Sequence, residues 1–308
     1  MLTVLETKGV TPQTTFAWLE ITPSCQLHCT HCYRESMPGL GHGKLGFDQW
    51  KQAIASLQAQ GTRYVQFIGG EPTIHPHFCE LLEYAASLDL HIEVYTNLVS
   101  ITSRMWEQFT QHQVRIATSF YTDNPAIHDE ITGVTGSYHK TLANIKKVLD
   151  RGLKLRVGMV KMRDDQDIES AKAMLTDLGV KKIGVDRARG VGRGTQLLQE
   201  DPISALCGAC TKGKAVITAN GEVYNCIMSR SFVLGNVLQE DIATILNGTT
   251  MQATTAMLNT AFAARPDWHD CGPDDQDCDP ECDPKDWPDC NPDCCPATVA
   301  DCEPSEDE

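Results

Sequence analysis

Three cysteines within eight residues constrain this chain more than any other feature. Cys25, Cys29 and Cys32 have the spacing C-x3-C-x2-C, and Tyr33 follows them directly. Three thiolates on one short loop can bind three irons of a four-iron cluster and leave the fourth iron without a protein ligand. A structural metal site would be closed at that position. The pattern therefore predicts a [4Fe–4S] cluster whose open iron binds a small molecule.

The spacing alone also fits a structural zinc site, for which His28 or His31 would be the fourth ligand. A second motif argues against this alternative. Gly69–Pro72 (Gly-Gly-Glu-Pro) follows the apolar run 64–68, just as the cysteines follow the apolar run 16–21. Because functional loops of parallel β/α folds gather at the carboxyl ends of the strands, we expect the two motifs to lie side by side.

The cysteine triplet, the aromatic residue after it and the GGEP turn together resemble the signature of the radical S-adenosylmethionine (radical SAM) superfamily. The resemblance covers about residues 16–226 and implies that S-adenosylmethionine binds to the open iron. One electron from the reduced cluster then splits a carbon–sulfur bond, and the 5′-deoxyadenosyl radical takes a hydrogen atom from the substrate. Cys25, Cys29 and Cys32 would hold this cluster, which makes them the predicted catalytic residues.

The resemblance also implies which residues bind S-adenosylmethionine. Gly70 and Glu71 would flank the methionine amino group. Asn97 and Ser119 would lie near the ribose and the carboxylate, although both also fit ordinary polar strand ends. Tyr33 would contact the adenine. The predicted cofactor-binding residues are Tyr33, Gly69, Gly70, Glu71, Pro72, Asn97 and Ser119.

Apolar runs of strand type alternate with helical patterns between residues 16 and 187. The predicted strands are 16–22, 64–68, 91–96, 114–120, 153–162 and 182–186. The predicted helices are 48–60, 76–88, 102–112, 137–151 and 168–178, three of which end at a glycine that acts as a C-cap signal. Six strands with helical crossovers are too few for a closed eight-stranded barrel. We therefore predict an α/β fold with an open, partial (β/α)6 barrel.

A second group of cysteines follows the predicted barrel. Cys207 and Cys210 have the spacing C-x2-C, and a predicted hairpin with Asn220-Gly221 in its turn brings Cys226 back toward them. This pattern resembles the small auxiliary-cluster domain called twitch, or the first part of the longer SPASM domain, and implies a second [4Fe–4S] cluster. A zinc knuckle is the alternative, since nothing in the hairpin itself requires iron.

The last part of the chain differs from the rest in composition. From residue 266 to the end there are sixteen Asp and Glu and one Lys, which accounts for the whole net charge of −15. A Cys-x-Pro tripeptide occurs six times there, and such a density of proline and charge predicts disorder without a ligand. One tail thiol could complete the auxiliary cluster, several could hold another metal, or the tail could be a solubilising arm.

The predicted domains are an N-terminal extension (1–15), the barrel (16–195), the auxiliary domain (196–265) and the acidic tail (266–308).

Two other segments carry weaker signals. Gly190–Gly194 has three glycines but lacks the lysine and the helix start of a phosphate loop. We therefore expect a flexible linker between domains, with Arg187, Arg189 and Arg193 exposed or holding an acidic substrate. Residues 128–138 resemble the loop before the fourth helix in peptide-modifying members of the superfamily. Those members often have Ser-Leu-Asp-Gly at the fourth strand end, where residues 119–122 are Ser-Phe-Tyr-Thr. No catalytic base is therefore assigned at that position.

The composition limits the location and the partners. No run is long enough to span a membrane, and residues 1–15 lack the apolar core of a signal peptide, so we expect a cytoplasmic protein without a membrane partner. In a reducing compartment, fourteen cysteines indicate metal or redox ligands rather than disulfides. Outside the tail, 25 acidic and 25 basic residues balance, which leaves no basic excess for a nucleic acid.

These observations predict a radical SAM enzyme that modifies a ribosomally made peptide. Its partners would be a precursor peptide and a one-electron donor such as a flavodoxin or ferredoxin. The peptide follows only from the resemblance to the twitch and SPASM group. A radical SAM enzyme for a small nucleotide or sugar and a non-catalytic iron or zinc carrier are the alternatives. Only about fifteen residues precede the first strand, so we expect no separate domain for a leader peptide.

Overall fold

The structure, a computed structural model, describes residues 14–265. The acidic tail with its seven cysteines and most of the predicted N-terminal extension lie outside the described residues. Within residues 14–265, no helix is long and apolar enough to cross a membrane.

Strands and helices alternate through the first two thirds of the described chain. The strands are β1 (Phe16–Thr22), β2 (Tyr64–Gly69), β3 (His91–Tyr95), β4 (Arg115–Ser119), β5 (Leu155–Lys161), β6 (Lys182–Arg187), β7 (Lys214–Thr218), β8 (Glu222–Tyr224) and β9 (Gly235–Asn236). The helices are α1 (Phe47–Ala59), α2 (Phe78–Ser87), α3 (Ser103–Gln111), α4 (Pro125–Thr132), α5 (Ser137–Asp150), α6 (Ile168–Asp177), α7 (Ile242–Asn247) and α8 (Thr249–Ala263).

The six predicted barrel strands pair in parallel and in chain order, from β1 to β6. This confirms the predicted partial barrel. The predicted helices are also present, but α4 replaces a stretch that was predicted as a loop. Asn124 starts it, because its side-chain oxygen accepts hydrogen bonds from the amides of Ala126 and Ile127 at 3.0 and 3.4 Å. Pro125 occupies the first helical position, where its missing amide hydrogen costs nothing.

Strand β1 is buried on both faces. Ala17 and Leu19 belong to the main core beneath the helices, whereas Phe16 and Trp18 belong to a second core on the opposite face. Because successive side chains of a strand point to opposite faces, Glu20 also lies on this second face. Burial on both faces explains why the strand reads as a continuous apolar run.

The predicted hairpin is present as β7 and β8, which pair antiparallel. Gly221 allows the tight turn, because it has a φ of +89° and its amide donates to the carbonyl of Thr218 at 2.9 Å. The sequence predicts that this hairpin belongs to a separate small domain. In the structure β7 also pairs in parallel with β1, over five residue pairs from Phe16 to Glu20. The auxiliary hairpin therefore extends the barrel sheet.

This pairing predicts how truncated chains behave. A chain that ends at residue 195 lacks β7, and it exposes the edge of β1 and the face that carries Phe16 and Trp18. Burial of a large apolar side chain contributes about 1.5–3 kcal/mol, and the whole folding free energy of a domain is about 5–15 kcal/mol. We therefore expect the 1–195 chain to be insoluble, and a chain that ends at residue 265 to unfold cooperatively in a thermal scan. A soluble and cooperatively unfolding 1–195 chain would contradict this role of β7.

Candidate cluster and cofactor site

The cysteine loop leaves the carboxyl end of β1 and is fixed by hydrogen bonds to a distant helix end. The amide of His28 donates to the carbonyl of Thr132 at 2.9 Å, and the amide of Thr30 donates to that of Ile131 at 3.0 Å. Both carbonyls belong to the last turn of α4, where helical carbonyls have no partner inside their own helix. The segment that resembled a loop of peptide-modifying enzymes therefore holds the cysteine loop.

Three donors point at the thiols of this loop. The amides of Leu27 and Ser36 lie 3.3 and 3.4 Å from the sulfur atoms of Cys25 and Cys32, respectively. The side-chain amide of Asn97 lies 3.5 Å from the sulfur of Cys25. Hydrogen bonds to cysteine sulfur stabilise the thiolate that an iron–sulfur cluster requires. The donor set therefore fits a cluster held by this loop.

The thiols of the metal-free loop hold their protons tightly. Burial raises the pKa of Cys29 to about 12, and the neighbouring Cys32 adds to the rise while Arg193 opposes it. Burial also raises the pKa of Cys25 far above its usual range, with a further contribution from the carboxylate of Glu71. Binding of a metal must therefore displace protons from these thiols.

The GGEP turn packs directly against the backbone before the cysteine loop. The amide of Gly70 donates to the carbonyl of Thr22 at 2.7 Å, and the amide of Glu71 donates to that of Ser24 at 2.9 Å. A side chain on Gly70 would place its Cβ only 2.2 Å from the carbonyl oxygen of Ser24. Only glycine allows this approach, which brings the two motifs together as predicted.

The carboxylate of Glu71 is fully buried and forms its hydrogen bonds inside the fold. Its Oε1 accepts from the amide of Thr73 (3.1 Å) and from the hydroxyls of Thr73 (2.6 Å) and Thr96 (2.7 Å), and its Oε2 accepts from the amide of Asn97 (2.7 Å). Burial raises the pKa of Glu71, and these hydrogen bonds oppose the rise. The side chain thus joins the GGEP turn to the end of β3. Only the main chain of Glu71 is left for the predicted contact with S-adenosylmethionine.

The other predicted cofactor residues lie at neighbouring strand ends. Asn97 follows β3, and its Oδ1 accepts from the side-chain amide of Gln26 on the cysteine loop at 3.1 Å. Ser119 ends β4, and its hydroxyl is 2.9 Å from that of Tyr95. Pro72 is buried at the start of a single 3-10 turn. The strand-end rule therefore places these residues at the edge of the sheet that carries the cysteine loop.

Tyr121 is a site residue that the sequence prediction did not include. It is buried, and its hydroxyl forms hydrogen bonds with the side chains of Ser119 and Cys29. Its ring also contacts the ring of His31 edge-on, with centroids 5.2 Å apart. Tyr121 stands at the position of the aspartate in the Ser-Leu-Asp-Gly pattern. The tyrosine in place of this aspartate was the sequence signal that could have identified Tyr121 as a site residue.

A buried carboxylate connects the catalytic loop to the auxiliary hairpin. Glu20 pairs through one oxygen with Arg230, which follows Cys226 by four residues, and through the other with the Nε of Arg34 at 3.2 Å. The guanidinium of Arg230 also lies over the ring of Tyr33, 5.4 Å from its centroid. The ring of Tyr33 is therefore packed between the two cysteine-bearing regions, with its hydroxyl buried.

The second cysteine triplet is also brought together. The thiol of Cys210 forms hydrogen bonds with those of Cys207 and Cys226, which together with burial raise the pKa of Cys210 well above its usual range. The amide of Met228 lies 3.5 Å from the sulfur of Cys226. In residues 14–265, no three His, Cys, Asp or Glu side chains are grouped to hold a single metal ion. A four-iron cube does not need such a group, because each of its cysteines binds a different iron.

The structure contradicts the predicted flexible linker and the predicted exposure of Arg193, whereas Arg187 is half exposed, as predicted. Gly192 has a φ of +56°, and a side chain there would lie 2.3 Å from the carbonyl oxygen of Tyr33. Arg193 is only 8% exposed, and its amide donates to the carbonyl of Cys32 at 3.0 Å. Its guanidinium donates to the carbonyls of Cys29 and Ser36, both at 2.8 Å. The glycines serve close packing against the cysteine loop rather than flexibility.

Comparison with protein families agrees with this geometry. The model of the radical SAM superfamily matches residues 19–175, which is about half of the chain. The chain belongs to the radical SAM superfamily. The model of the SPASM iron–sulfur cluster-binding domain matches residues 207–283 and extends past the predicted boundary at residue 265. These matches confirm the predicted family and its cofactors, a [4Fe–4S] cluster, S-adenosylmethionine and an auxiliary iron–sulfur cluster.

Three curated relatives show what the chain is similar to. The subtilosin biosynthesis protein AlbA of Bacillus subtilis is 27% identical over 77% of this chain and 60% of its own length. The mycofactocin maturase MftC of Mycobacterium tuberculosis is 26% identical over 75% and 60%. An AdoMet-dependent heme synthase of Methanosarcina barkeri is 27% identical over 60% and 54%. The chain thus spans 60% or less of the length of these relatives.

Solved structures show the same fold. SuiB of Streptococcus suis, bound to S-adenosylmethionine, superposes with a TM-score of 0.66 at 15% sequence identity. The superposition covers 79% of this chain and 68% of SuiB. At this level of identity the likeness confirms the fold, a partial barrel with a SPASM-type extension.

Replacement of Gly70 tests the contact between the two motifs. In Gly70→Ala the new Cβ overlaps the carbonyl of Ser24, so the GGEP turn must move away from the cysteine loop. We expect S-adenosylmethionine to bind at least about tenfold more weakly, a loss of about 1.4 kcal/mol. Equilibrium binding to the reconstituted protein measures this loss. Gly184→Ala is the matched control, because Gly184 has open space around its Cα and no positive φ; equal affinity of both variants would contradict the packing argument.

Replacement of Cys210 tests the auxiliary site. Two four-iron clusters correspond to about eight irons per reconstituted chain, and we expect Cys210→Ala to leave about four. Cys79 is the control, since it is a lone buried cysteine of α2 packed in the main core, and Cys79→Ala should leave the iron content unchanged. In a chain that ends at residue 265, an unchanged auxiliary spectrum would show that the tail provides no ligand. If the Cys210→Ala protein still binds about eight irons, Cys210 is not a cluster ligand.

Proposed function

We propose that this radical SAM enzyme abstracts a hydrogen atom from a ribosomally made peptide and so modifies it. The similarity to AlbA supports this proposal, because it runs over 271 residues and includes both the barrel and the auxiliary region. The similarity to the heme synthase of M. barkeri covers only 188 residues. The extent of the match therefore favours a peptide maturase over an enzyme for a small molecule.

The site residues receive the following roles in this proposal. Cys25, Cys29 and Cys32 hold the catalytic cluster. When bound, the reduced cluster supplies the electron that cleaves S-adenosylmethionine to methionine and a 5′-deoxyadenosyl radical. The backbone of Gly69–Pro72 cradles the methionine part, and the side chains of Asn97 and Ser119 orient the cofactor from adjacent strand ends. Orientation matters here, because the radical must form within reach of a single hydrogen atom.

A row of paired polar side chains leads from the sheet to the proposed cofactor site. Arg156 binds Glu93 through two hydrogen bonds of 2.9 and 2.7 Å, and its guanidinium lies over the ring of Tyr95. The hydroxyl of Tyr95 in turn contacts Ser119 at the cofactor edge. This row of paired polar side chains connects the buried sheet to the cofactor edge of the site.

The auxiliary cysteines complete the proposal. Cys207, Cys210 and Cys226 would hold the second cluster, which would supply either an open iron for the substrate or an acceptor for one electron. A flavodoxin or ferredoxin supplies the first electron from outside. The SPASM match extends to residue 283 and so includes Cys271, Cys278 and Cys282, which supports a tail thiol as a further ligand.

A tetrapyrrole is the second candidate substrate, because heme synthases are among the relatives. It stands beside a nucleotide or sugar as a small-molecule alternative. The two candidates differ in the source of the hydrogen atom that 5′-deoxyadenosine gains.

Transfer of deuterium decides between them. Short peptides encoded next to the gene would be made with deuterated residues and incubated with the anaerobically reconstituted enzyme, S-adenosylmethionine and reductant. We expect deuterium in 5′-deoxyadenosine and a changed peptide mass, both of which mass spectrometry detects. Cys29→Ala is the control and should form no 5′-deoxyadenosine. Deuterium that comes from a labelled iron tetrapyrrole, and from none of the peptides, would overturn the peptide proposal.

A further inference from the structure

Arg193 is a buried cation that lacks a counter-ion among the described residues. It is 8% exposed, and no carboxylate in residues 14–265 forms an ion pair with it. Burial of a charge without a counter-ion is costly, because hydrogen bonds to neutral acceptors do not balance the charge. An anion therefore belongs beside Arg193 when the enzyme holds its cofactors.

The position of the guanidinium is fixed by the cysteine loop. Its Nε donates to the carbonyl of Cys29 and its Nη2 to the carbonyl of Ser36. The main-chain amide of Arg193 binds the carbonyl of Cys32. Two of these carbonyls belong to predicted cluster ligands. Because three hydrogen bonds hold the residue, the guanidinium is locked against the backbone that carries the thiols.

One donor of the guanidinium has no acceptor. Nη1 is buried and makes no hydrogen bond in the described structure. A buried donor without a partner is costly, and more so when the group is charged. The same guanidinium is bound through its Nε to the carbonyl of Cys29, a predicted cluster ligand. The free donor therefore belongs to the environment of the catalytic thiols.

We propose that Nη1 of Arg193 donates a hydrogen bond to a sulfur atom of the catalytic cluster and that its charge is the buried counter-ion of that cluster. The cluster and its thiolates are negatively charged, and they become more negative on reduction. A fixed cation that donates a hydrogen bond to a cluster sulfur stabilises the reduced cluster more than the oxidised cluster. It therefore raises the reduction potential of the cluster. This role depends on the cysteine loop as cluster ligand, and it is independent of the peptide as substrate.

The reduction potential of the catalytic cluster tests this role. In redox titrations followed by electron paramagnetic resonance (EPR) without S-adenosylmethionine, Arg193→Gln should lower the potential, and Arg193→Lys should lower it less because it keeps the charge. Arg187→Gln is the control, since Arg187 is half exposed, pairs with Glu200 and lies in the same segment. The control should leave the potential unchanged.

Two results would overturn the proposal. One is an unchanged potential in an Arg193→Gln protein with its full iron content. The other is an unchanged potential with weaker binding of S-adenosylmethionine, which would assign the donor to the methionine carboxylate instead. If both Arg193 variants lose iron, the unsubstituted enzyme is tested with arginine that carries 15N in its guanidinium. The catalytic cluster is recognised as the one whose EPR signal changes when S-adenosylmethionine is added. Pulsed EPR of this cluster in its reduced state should show a 15N coupling, and the absence of the coupling would refute the hydrogen bond.

Discussion

The cysteine loop depends on hydrogen bonds from other parts of the chain. Its amides donate to the last carbonyls of α4, and its carbonyls accept from Arg193. These partners lie about 100 and 160 residues further along the chain, so the positions of the thiols are set only when the whole barrel has formed. A cluster site of this kind is sensitive to changes that touch none of its ligands, because a shift of α4 or of Arg193 moves the sulfur atoms with the backbone.

The continuity of the sheet places both cysteine triplets in one framework. β7 pairs with β1, so the hairpin that returns Cys226 is attached to the strand that leads into the catalytic loop. Glu20 of β1 pairs with an arginine from each side, Arg34 and Arg230. A shared, fully buried carboxylate resists separation of the two loops, because loss of either arginine leaves buried charges without their partners. The distance between the two cysteine triplets is thus a property of the sheet and of this ion-pair group.

Two residues of the GGEP motif act by supporting the backbone. The carboxylate of Glu71 receives all of its hydrogen bonds from Thr73, Thr96 and Asn97. Its value to the site is that it fixes the GGEP turn against the end of β3. Gly70 acts in the same way through the absence of a side chain, since it lets two backbone segments touch. A signature can therefore report a packing requirement as well as a direct contact.

The sequence by itself determined the alternation of strands and helices and the spacing of both cysteine triplets. These features are local, because hydrophobic periodicity and metal-ligand spacing act over a few residues. Tertiary structure alone decided the pairing of β7 with β1, the burial of Arg193 and the contact of Tyr121 with Cys29. Each of these joins segments far apart in the chain and leaves no local pattern, so the glycines beside Arg193 looked like a flexible linker until the cysteine loop was seen to pack on them. The contacts that form the site join residues far apart in the sequence, whereas the motifs that predict the site each span only a few residues.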